Sequence, residues 1–299
     1  MPPGDLAPRL VVVTGGGGGI GRALVRRFAG LGDAVVAVGR DPGALDEVVG
    51  EVLGEVAGGA ASKADEVAGG AASKATNAAG GAASKADEVA GGAASKATGG
   101  VRAAICDVTD EDAVARLFEE VGPVDVLVNN AGVSDSAPVE RTTLASWHHQ
   151  LEVNATGPFL CSRAVVPRMK ERGWGRVVMV ASTAGRAGYP YTCAYTASKH
   201  AVVGLVRAMA AELGACGVTV NAVCPAFVDT PMTALSVARV ARVTGRSEDE
   251  SRRALAGLSP LERLLAPDEV ADAVVFLASE AAAAVNGQAL VLDGGGIQA

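Results

Sequence analysis

The feature that most constrains the fold is a regular alternation of short valine-rich runs with longer segments whose apolar residues recur at helical spacing. The strand-like runs are 10–15, 34–40, 101–108, 124–132, 175–182, 218–225 and 289–295. The helical segments are 22–31, 44–55, 111–121, 144–172, 193–214 and 267–278. Near-continuous apolar runs are typical of strands buried on both faces, and strands that alternate with helices pair in parallel. The sequence predicts one α/β domain over 1–299, a doubly wound parallel sheet of about seven strands with helices on both faces.

An internal repeat interrupts this alternation. Residues 56–99 hold four copies of an 11-residue unit: VAGGAASKADE, VAGGAASKATN, AAGGAASKADE and VAGGAASKATG. Eleven residues are close to three helical turns, but each Gly-Gly pair costs about 2 kcal/mol of helix stability relative to Ala-Ala. No leucine, isoleucine or aromatic residue is present with which the units could dock. We expect a surface insertion between the helix after the second strand and the third strand, either frayed helix or flexible linker. It either has no function or serves as a partner-binding helix.

Composition excludes several classes of protein. The net charge of −7 and the absence of a long basic run argue against a nucleic-acid partner. No apolar run approaches the roughly 18 residues of a membrane span, and 1–9 does not resemble a signal peptide. The five cysteines form no CxxC pair. We therefore expect a soluble, cytoplasmic protein with free thiols and no metal site.

Five consecutive glycines lie between the first strand and the helix that follows it, where 14–21 reads TGGGGGIG. Glycines allow the backbone to approach a pyrophosphate, and the helix N-terminus supplies free N–H groups and partial positive charge. Both G-x-G-x-x-G and T-G-x-x-x-G-x-G fit the run. A P-loop does not fit, because no Lys-Ser/Thr pair closes it. The turn predicts a dinucleotide site in a Rossmann-type fold.

The end of the second strand distinguishes between the two nicotinamide dinucleotides. Chains that bind NAD place an acidic residue there, on the ribose 2′-hydroxyl. This chain has Arg40, whose guanidinium can pair with the 2′-phosphate of NADP(H). Asp41 follows directly, and it is the alternative ribose ligand if the strand ends one residue later. We favour NADP(H), with NAD(H) as the alternative.

A tyrosine and a lysine lie four residues apart where 195–199 reads YTASK. On a helix Tyr195 and Lys199 share one face, and a nearby ammonium lowers the pKa of a phenol. This pairing predicts a general acid/base that works near neutrality. Ser182 ends a valine-rich strand, where side chains reach the ligand crevice. Asn154 lies within a long helical segment, where an Asn-Ala-Thr-Gly sequence is unusual, and it is a further candidate site residue. The alternative is that Asn154 is only a polar residue that bends the helix.

These motifs resemble those of the short-chain dehydrogenase/reductase family in both order and spacing. They are TGGGGGIG (14–21), CDV (106–108), NNAG (129–132), VNATG (153–157), VAS (180–182), YTASK (195–199), CPAFVDTP (224–231) and LDGG (292–295). The resemblance covers nearly the whole chain outside 56–99 and implies an oxidoreductase acting on CH–OH groups. The catalytic residues that it implies are Asn154, Ser182, Tyr195 and Lys199. With Arg40 added, the expected cofactor contacts are Thr14, Gly15, Gly19, Ile20, Gly21, Asp107, Val108, Asn130, Ala131, Gly132, Tyr195, Lys199, Pro225, Val228 and Thr230.

One departure from the family's pattern follows the sixth strand. The family usually has Pro-Gly there, whereas this chain has Pro225 followed by Ala226. An alanine where glycine is usual predicts some backbone strain.

The region 226–266, with a helical stretch around 232–262, resembles the substrate lid of 3-oxoacyl thioester reductases and polyketide ketoreductases. The resemblance implies NADPH-dependent reduction of a ketone to a secondary alcohol. The expected substrate is a 3-oxoacyl thioester carried on CoA or acyl carrier protein, and the expected assembly is a homotetramer built through 144–172 and 193–214. One alternative is an NAD-dependent 3-hydroxyacyl-CoA or secondary alcohol dehydrogenase. Another, from a different class, is a non-catalytic dinucleotide-binding scaffold.

Overall fold

The computed structural model describes residues 8–68 and 100–298. The strands are β1 (Leu10–Thr14), β2 (Ala34–Gly39), β3 (Val101–Ile105), β4 (Val126–Asn129), β5 (Gly175–Val180), β6 (Val218–Pro225) and β7 (Ala289–Leu292). The helices are α1 (Gly19–Gly30), α2 (Pro42–Ala68), α3 (Glu111–Val121), α4 (Leu144–Leu151), α5 (Gly157–Arg172), α6 (Cys193–Leu213), α7 (Pro231–Thr244), α8 (Glu248–Ala256) and α9 (Pro267–Leu277). Each of the seven expected strands is present, several of them ending earlier than expected.

The strands form one parallel sheet in the order β3-β2-β1-β4-β5-β6-β7. The chain therefore moves outward from β1 to β3, then returns to the centre and moves outward through β4 to β7. This confirms the predicted doubly wound α/β sheet. The order reverses between β1 and β4, and in sheets of this kind ligands bind beyond the carboxyl ends of the strands at that point.

Two apolar layers explain why the strands are almost uniformly hydrophobic. Val12 of β1 packs in the layer beneath α3, α5 and α6. Its neighbours Val11 and Val13 point the opposite way, into the layer beneath α1, α2 and α9. Because side chains alternate across a strand, a sheet covered on both faces requires apolar residues at successive positions.

The helix after β2 is longer than the sequence predicted. The expected helix ended at Glu55, whereas α2 continues to Ala68, through the first repeat unit. The rest of the repeat, 69–99, lies outside the described residues. The edge strand β3 follows the repeat in the chain and pairs only with β2 among the described strands.

Two segments predicted as continuous helices are divided. A π-helical segment, Glu152–Thr156, separates α4 from α5 within the predicted helix 144–172. The region 226–266, expected to be a substrate lid, contains two helices, α7 and α8, because Gly245 has a left-handed φ of 72° and Ser247 begins a new helix. The Ser247 side chain accepts from the Glu250 N–H, and the Glu250 carboxylate accepts from the Ser247 N–H, which is a complete capping box.

Candidate active site

The glycine turn forms a cradle at the N-terminus of α1. Gly15 has φ 66°, and a Cβ there would lie 2.9 Å from the Ala131 Cα. A Cβ on Gly19 would lie 2.5 Å from the Thr230 Cγ2. Gly18 is the N-cap of α1, and no side chain caps the helix. The backbone thus approaches the crevice closely. Among the described residues, no side chain accepts a hydrogen bond from the first-turn N–H groups, which leaves them available to a pyrophosphate.

The end of β4 is tied to the end of β1 beside this cradle. The Thr14 hydroxyl accepts from the backbone N–H of Asn130 (3.0 Å) and of Ala131 (3.1 Å). The Asn130 side-chain amide donates to the carbonyls of Thr14 (2.9 Å) and Gly15 (3.1 Å). These bonds fix the two strand ends at the topological switch point and hold Ala131 next to Gly15 of the glycine turn.

Arg40 extends from the end of β2 and remains exposed, with its Nη1 3.6 Å from the Asp107 Oδ2. The Asp107 carboxylate also accepts from the N–H (2.9 Å) and hydroxyl (2.7 Å) of Thr109. These hydrogen bonds, with a contribution from Arg40, hold the pKa of Asp107 below its ordinary value. The Asp41 carboxylate accepts from the Ala44 N–H at the start of α2. Asp41 therefore acts as a cap at the start of α2.

Asn154 lies in the π-helical segment and is completely buried. Its Oδ1 accepts from the Val133 N–H at 2.8 Å, and its Nδ2 donates to the Val133 carbonyl (2.9 Å) and to the Ser198 hydroxyl (3.0 Å). One side chain thus joins the loop after β4 to α6. π-Helical turns within α-helices are frequent at functional sites, because the extra residue redirects side chains.

Lys199 is buried on α6, and its Nζ donates to the Val180 carbonyl at 2.9 Å. Burial lowers the pKa of Lys199 from 10.5 to about 8. The ammonium lies 5.7 Å from the centre of the Tyr195 ring. A Cβ on Gly132 would lie 3.2 Å from the Asn154 Oδ1 and 3.6 Å from the Lys199 Nζ. Lys199 and Asn154 therefore meet beside the NNAG turn.

The pKa of Tyr195 lies above its ordinary value, because burial raises it more than the hydrogen bond with Ser182 lowers it. Lys199 is not among the causes of this shift, and its ammonium donates its hydrogen bond to the Val180 carbonyl. The Ser182 hydroxyl also accepts from the Ala184 N–H at 3.1 Å. Ser182, Tyr195, Lys199 and Asn154 form one cluster at the carboxyl ends of the central strands.

The segment after β6 closes the other side of the crevice. Pro225 ends β6, Val228 is buried and bridges to Leu265, and Thr230 is the N-cap of α7. Ala226 donates its N–H to the Leu292 carbonyl and does not have a positive φ. The strain expected at Ala226 is therefore absent.

Two further expected cofactor contacts have defined positions. Val108 is buried, and a Cβ on Gly157 would lie 2.8 Å from its Cγ2, so Val108 packs against the start of α5. Ile20 is half-buried in the first turn of α1, against the core beneath α1.

Comparison with known proteins identifies the family. A family profile described as enoyl-(acyl carrier protein) reductase matches residues 59–296, and one described as short chain dehydrogenase matches 9–77. The chain belongs to the short-chain dehydrogenase/reductase family. It is accordingly an NAD(P)-dependent oxidoreductase acting on CH–OH groups.

Several members of the short-chain dehydrogenase/reductase family resemble the chain over almost its whole length. The cis-4-hydroxycyclohexanecarboxylate dehydrogenase of Sinomonas cyclohexanicum is 36% identical, over 97% of this chain and 96% of that protein. The granaticin polyketide synthase putative ketoacyl reductase 1 of Streptomyces violaceoruber is 33% identical, over 98% of this chain and 94% of that protein. A crystal structure of the actinorhodin polyketide ketoreductase with NADPH superposes with a TM-score of 0.78 at 32% identity, covering 96% of this chain and 97% of that one.

One contact at this short-chain dehydrogenase/reductase site was not predictable from the sequence. Arg239 of α7 forms an ion pair with Asp135, which lies in the loop after β4, 104 residues earlier in the chain. Neither residue belongs to a motif, and only the fold brings the two together. Within the described ranges, no helix is long and apolar enough to cross a membrane, and no cluster of side chains is suited to a metal ion.

Proposed function

We propose that the protein reduces a ketone to a secondary alcohol with NADPH, that the natural substrate is a 3-oxoacyl thioester, and that Tyr195 is the proton donor. The observation that carries the proposal is the convergence of Tyr195, Ser182, Lys199 and Asn154 beside the glycine cradle. These groups supply a proton, a hydrogen bond and a positive charge at one place.

The cradle, the NNAG turn and the segment 225–230 fit a nicotinamide dinucleotide. The pyrophosphate would bind at Gly15–Gly21, the adenine beside Asp107 and Val108, and the carboxamide near Val228 and Thr230. Arg40 presents an exposed guanidinium where a 2′-phosphate would bind, which favours NADPH over NADH. When bound, the nicotinamide supplies the hydride.

In this proposal, side chains of the protein bind the substrate carbonyl oxygen and supply its proton. Ser182 would hydrogen-bond the substrate carbonyl oxygen, and Tyr195 would donate a proton to it. The raised pKa of Tyr195 keeps the phenol protonated at neutral pH, which suits a donor. Lys199 would hold the nicotinamide ribose and contribute positive charge. Asn154 positions the loop after β4 and, with Lys199, would support the water chain that replaces the proton.

Two relatives support a thioester substrate: the granaticin synthase protein has ketoacyl reductase in its name, and the actinorhodin structure is of a polyketide ketoreductase. A second candidate is oxidation of a secondary alcohol or 3-hydroxyacyl-CoA with NAD. The dehydrogenase from Sinomonas, which is 36% identical and is named for a hydroxycyclohexanecarboxylate, supports the oxidation of an alcohol. A spectrophotometric screen separates the two. It follows NADPH and NADH oxidation with acetoacetyl and longer 3-oxoacyl thioesters, and NAD reduction with the matching alcohols. Faster alcohol oxidation with NAD than ketone reduction with NADPH would favour the second candidate.

We propose in addition a homotetramer that associates through 144–172 and 193–214, the regions of α4, α5 and α6. Phe159 of α5 is 43% exposed, an apolar side chain that such an interface would cover. Size-exclusion chromatography with light scattering tests the tetramer.

We also propose a cytoplasmic location, which the free state of all five cysteines supports.

A further inference from the structure

The lid and the loop after β4 are joined by one charged contact whose purpose the proposed mechanism does not explain. The Arg239 Nη1 contacts the Asp135 carboxylate, and it also donates to the Ser136 carbonyl at 2.6 Å. Burial raises the pKa of Asp135, but the hydrogen bond and charge of Arg239 outweigh it and hold this pKa below its ordinary value. Asp135 is therefore a carboxylate at neutral pH, and the contact is a charge pair.

This ion pair lies at the mouth of the crevice that holds the catalytic cluster. Asp135 comes two residues after Val133. The Asn154 side chain hydrogen-bonds both the N–H and the carbonyl of Val133. The next part of the same loop pairs with the segment before α6, where the Ala137 N–H donates to the Tyr191 carbonyl at 2.8 Å. At the other end of the lid, Thr230 abuts Gly19 of the glycine turn. The helix α7 thus extends from the cofactor cradle to the loop beside the catalytic residues.

Hydrogen bonds with Ser146 and Gln150 of α4 hold Asp135 in place. Its Oδ2 accepts from the Ser146 hydroxyl at 3.2 Å, and its N–H donates to the Oε1 of Gln150, which is buried. The Gln150 side-chain amide donates in turn to Ser146 at 3.3 Å. The carboxylate is therefore a fixed support for the guanidinium.

The contacts of Arg239 with Asp135 and Ser136 use only one of its guanidinium nitrogens. Within the described part of the chain, Nη1 makes all the hydrogen bonds of the side chain, while Nε and Nη2 have no acceptor. The Arg239 side chain is 38% exposed and is therefore open to solvent. A guanidinium with free donors in a fixed fork binds a carboxylate or a phosphate well.

We propose that Arg239, held in place by Asp135, is a substrate-binding residue that receives an anionic oxygen group of the substrate. The group is either a carboxylate on the ketone itself or a phosphate on the carrier arm of a thioester. This inference rests on the proposed ketone reduction and adds to it the charge of the preferred substrate.

The test compares charged and neutral substrates with the same reacting ketone. NADPH oxidation is measured with acetoacetate against methyl acetoacetate, and with acetoacetyl-CoA against the neutral N-acetylcysteamine thioester of acetoacetate. For Arg239→Gln we expect at least a tenfold loss of kcat/KM, mostly through KM, with one of the charged substrates. Its neutral counterpart should change less than threefold. A loss confined to acetoacetate identifies a carboxylate, and a loss confined to the CoA ester identifies a phosphate.

Two further variants show whether the effect depends on the geometry of the pair. Arg242→Gln removes an exposed arginine from the same helix and should leave all four substrates within threefold of the parent. Arg239→Lys keeps the charge and should recover part of the preference for the charged substrate. Equal losses with charged and neutral substrates, or no loss with either, would overturn the proposal for Arg239. A parent protein that reduces none of the four ketones would instead refute the proposed function, and the Arg239 proposal with it.

Discussion

At the scale of single residues, we propose that the choice of dinucleotide depends on two neighbours at the end of β2. Asp41 accepts from the Ala44 N–H and caps α2, whereas Arg40 is exposed beside Asp107. Sequence spacing left both residues open as ribose ligands. We propose Arg40 rather than Asp41, because Asp41 caps the helix that begins immediately after the strand.

We predict that Arg40→Asp shifts the preference from NADPH toward NADH. The change removes the cation that would pair with the 2′-phosphate and adds a repelling carboxylate, together worth a few kcal/mol. The ratio of kcat/KM for the two cofactors measures the shift. Arg102→Asp, on the exposed side of the edge strand β3, is the matched control and should leave the ratio unchanged. The same ratio in parent and Arg40→Asp would show that Arg40 does not contact the 2′-phosphate.

Lys199 leads to a prediction about pH. Because burial lowers its pKa to about 8, the ammonium is charged below that pH and neutral above it. Tyr195, with a raised pKa, remains protonated over the same range. Ketone reduction should therefore lose kcat/KM above about pH 8, and the loss should approach tenfold per pH unit as the ammonium disappears. Lys199→Arg, which stays charged, should move the decline to higher pH. A parent profile that is flat to pH 10 would contradict this role for the Lys199 charge.

At the scale of elements, the regular pattern of apolar residues predicted the strands and helices. Features that depend on contacts between distant parts of the chain were not predicted. The strands were predictable because burial on both faces makes them almost uniformly apolar, as Val11, Val12 and Val13 illustrate. The break between α7 and α8 had a readable signal, Ser247 followed by Glu250 three residues later, which the lid prediction did not use.

The π-helical segment around Asn154 had no comparable signal. Its extra residue is held by hydrogen bonds to Val133 and Ser198, which lie 21 and 44 positions away in the chain. The pairing of Asp135 with Arg239 was unpredictable for the same reason. The four catalytic candidates were found from motifs, whereas the atoms that each of them contacts required the fold.

The connection between α2 and β3 yields a prediction about the repeat. A return helix over 42–55 is about 21 Å long, close to the roughly 20 Å of β2, so the chain can reach β3 without the repeat. The strand β3 lies at the sheet edge, two strands away from β1, where the crevice lies. Excising 56–99 should leave kcat and KM within about threefold, a change of under about 1 kcal/mol.

This deletion also tests whether the repeat is the surface insertion that we propose. Circular dichroism and the melting temperature serve as controls for folding. A folded deletion variant without activity would show that the repeat contributes to the active site or to an assembly interface.

At the scale of the whole molecule, the doubly wound sheet brings residues from widely separated regions of the chain to one crevice. The glycine turn and Arg40 come from its first half, and Asn154, Tyr195 and the segment after β6 come from its second half. We propose above all that a ketone is reduced with NADPH in this crevice and that Tyr195 donates the proton. A dinucleotide-binding scaffold would keep the crevice but would not need the phenol.

The most direct test is NADPH oxidation with an acetoacetyl thioester by the parent protein and by Tyr195→Phe, together with NADPH binding to both by fluorescence titration. Loss of the hydroxyl removes the proton donor and leaves the ring that packs beside Lys199. Positioned acid–base groups contribute about 10²–10⁴-fold to rate. We predict a loss of that size in kcat, with NADPH affinity within threefold of the parent. Turnover by Tyr195→Phe within about tenfold of the parent would contradict the claim.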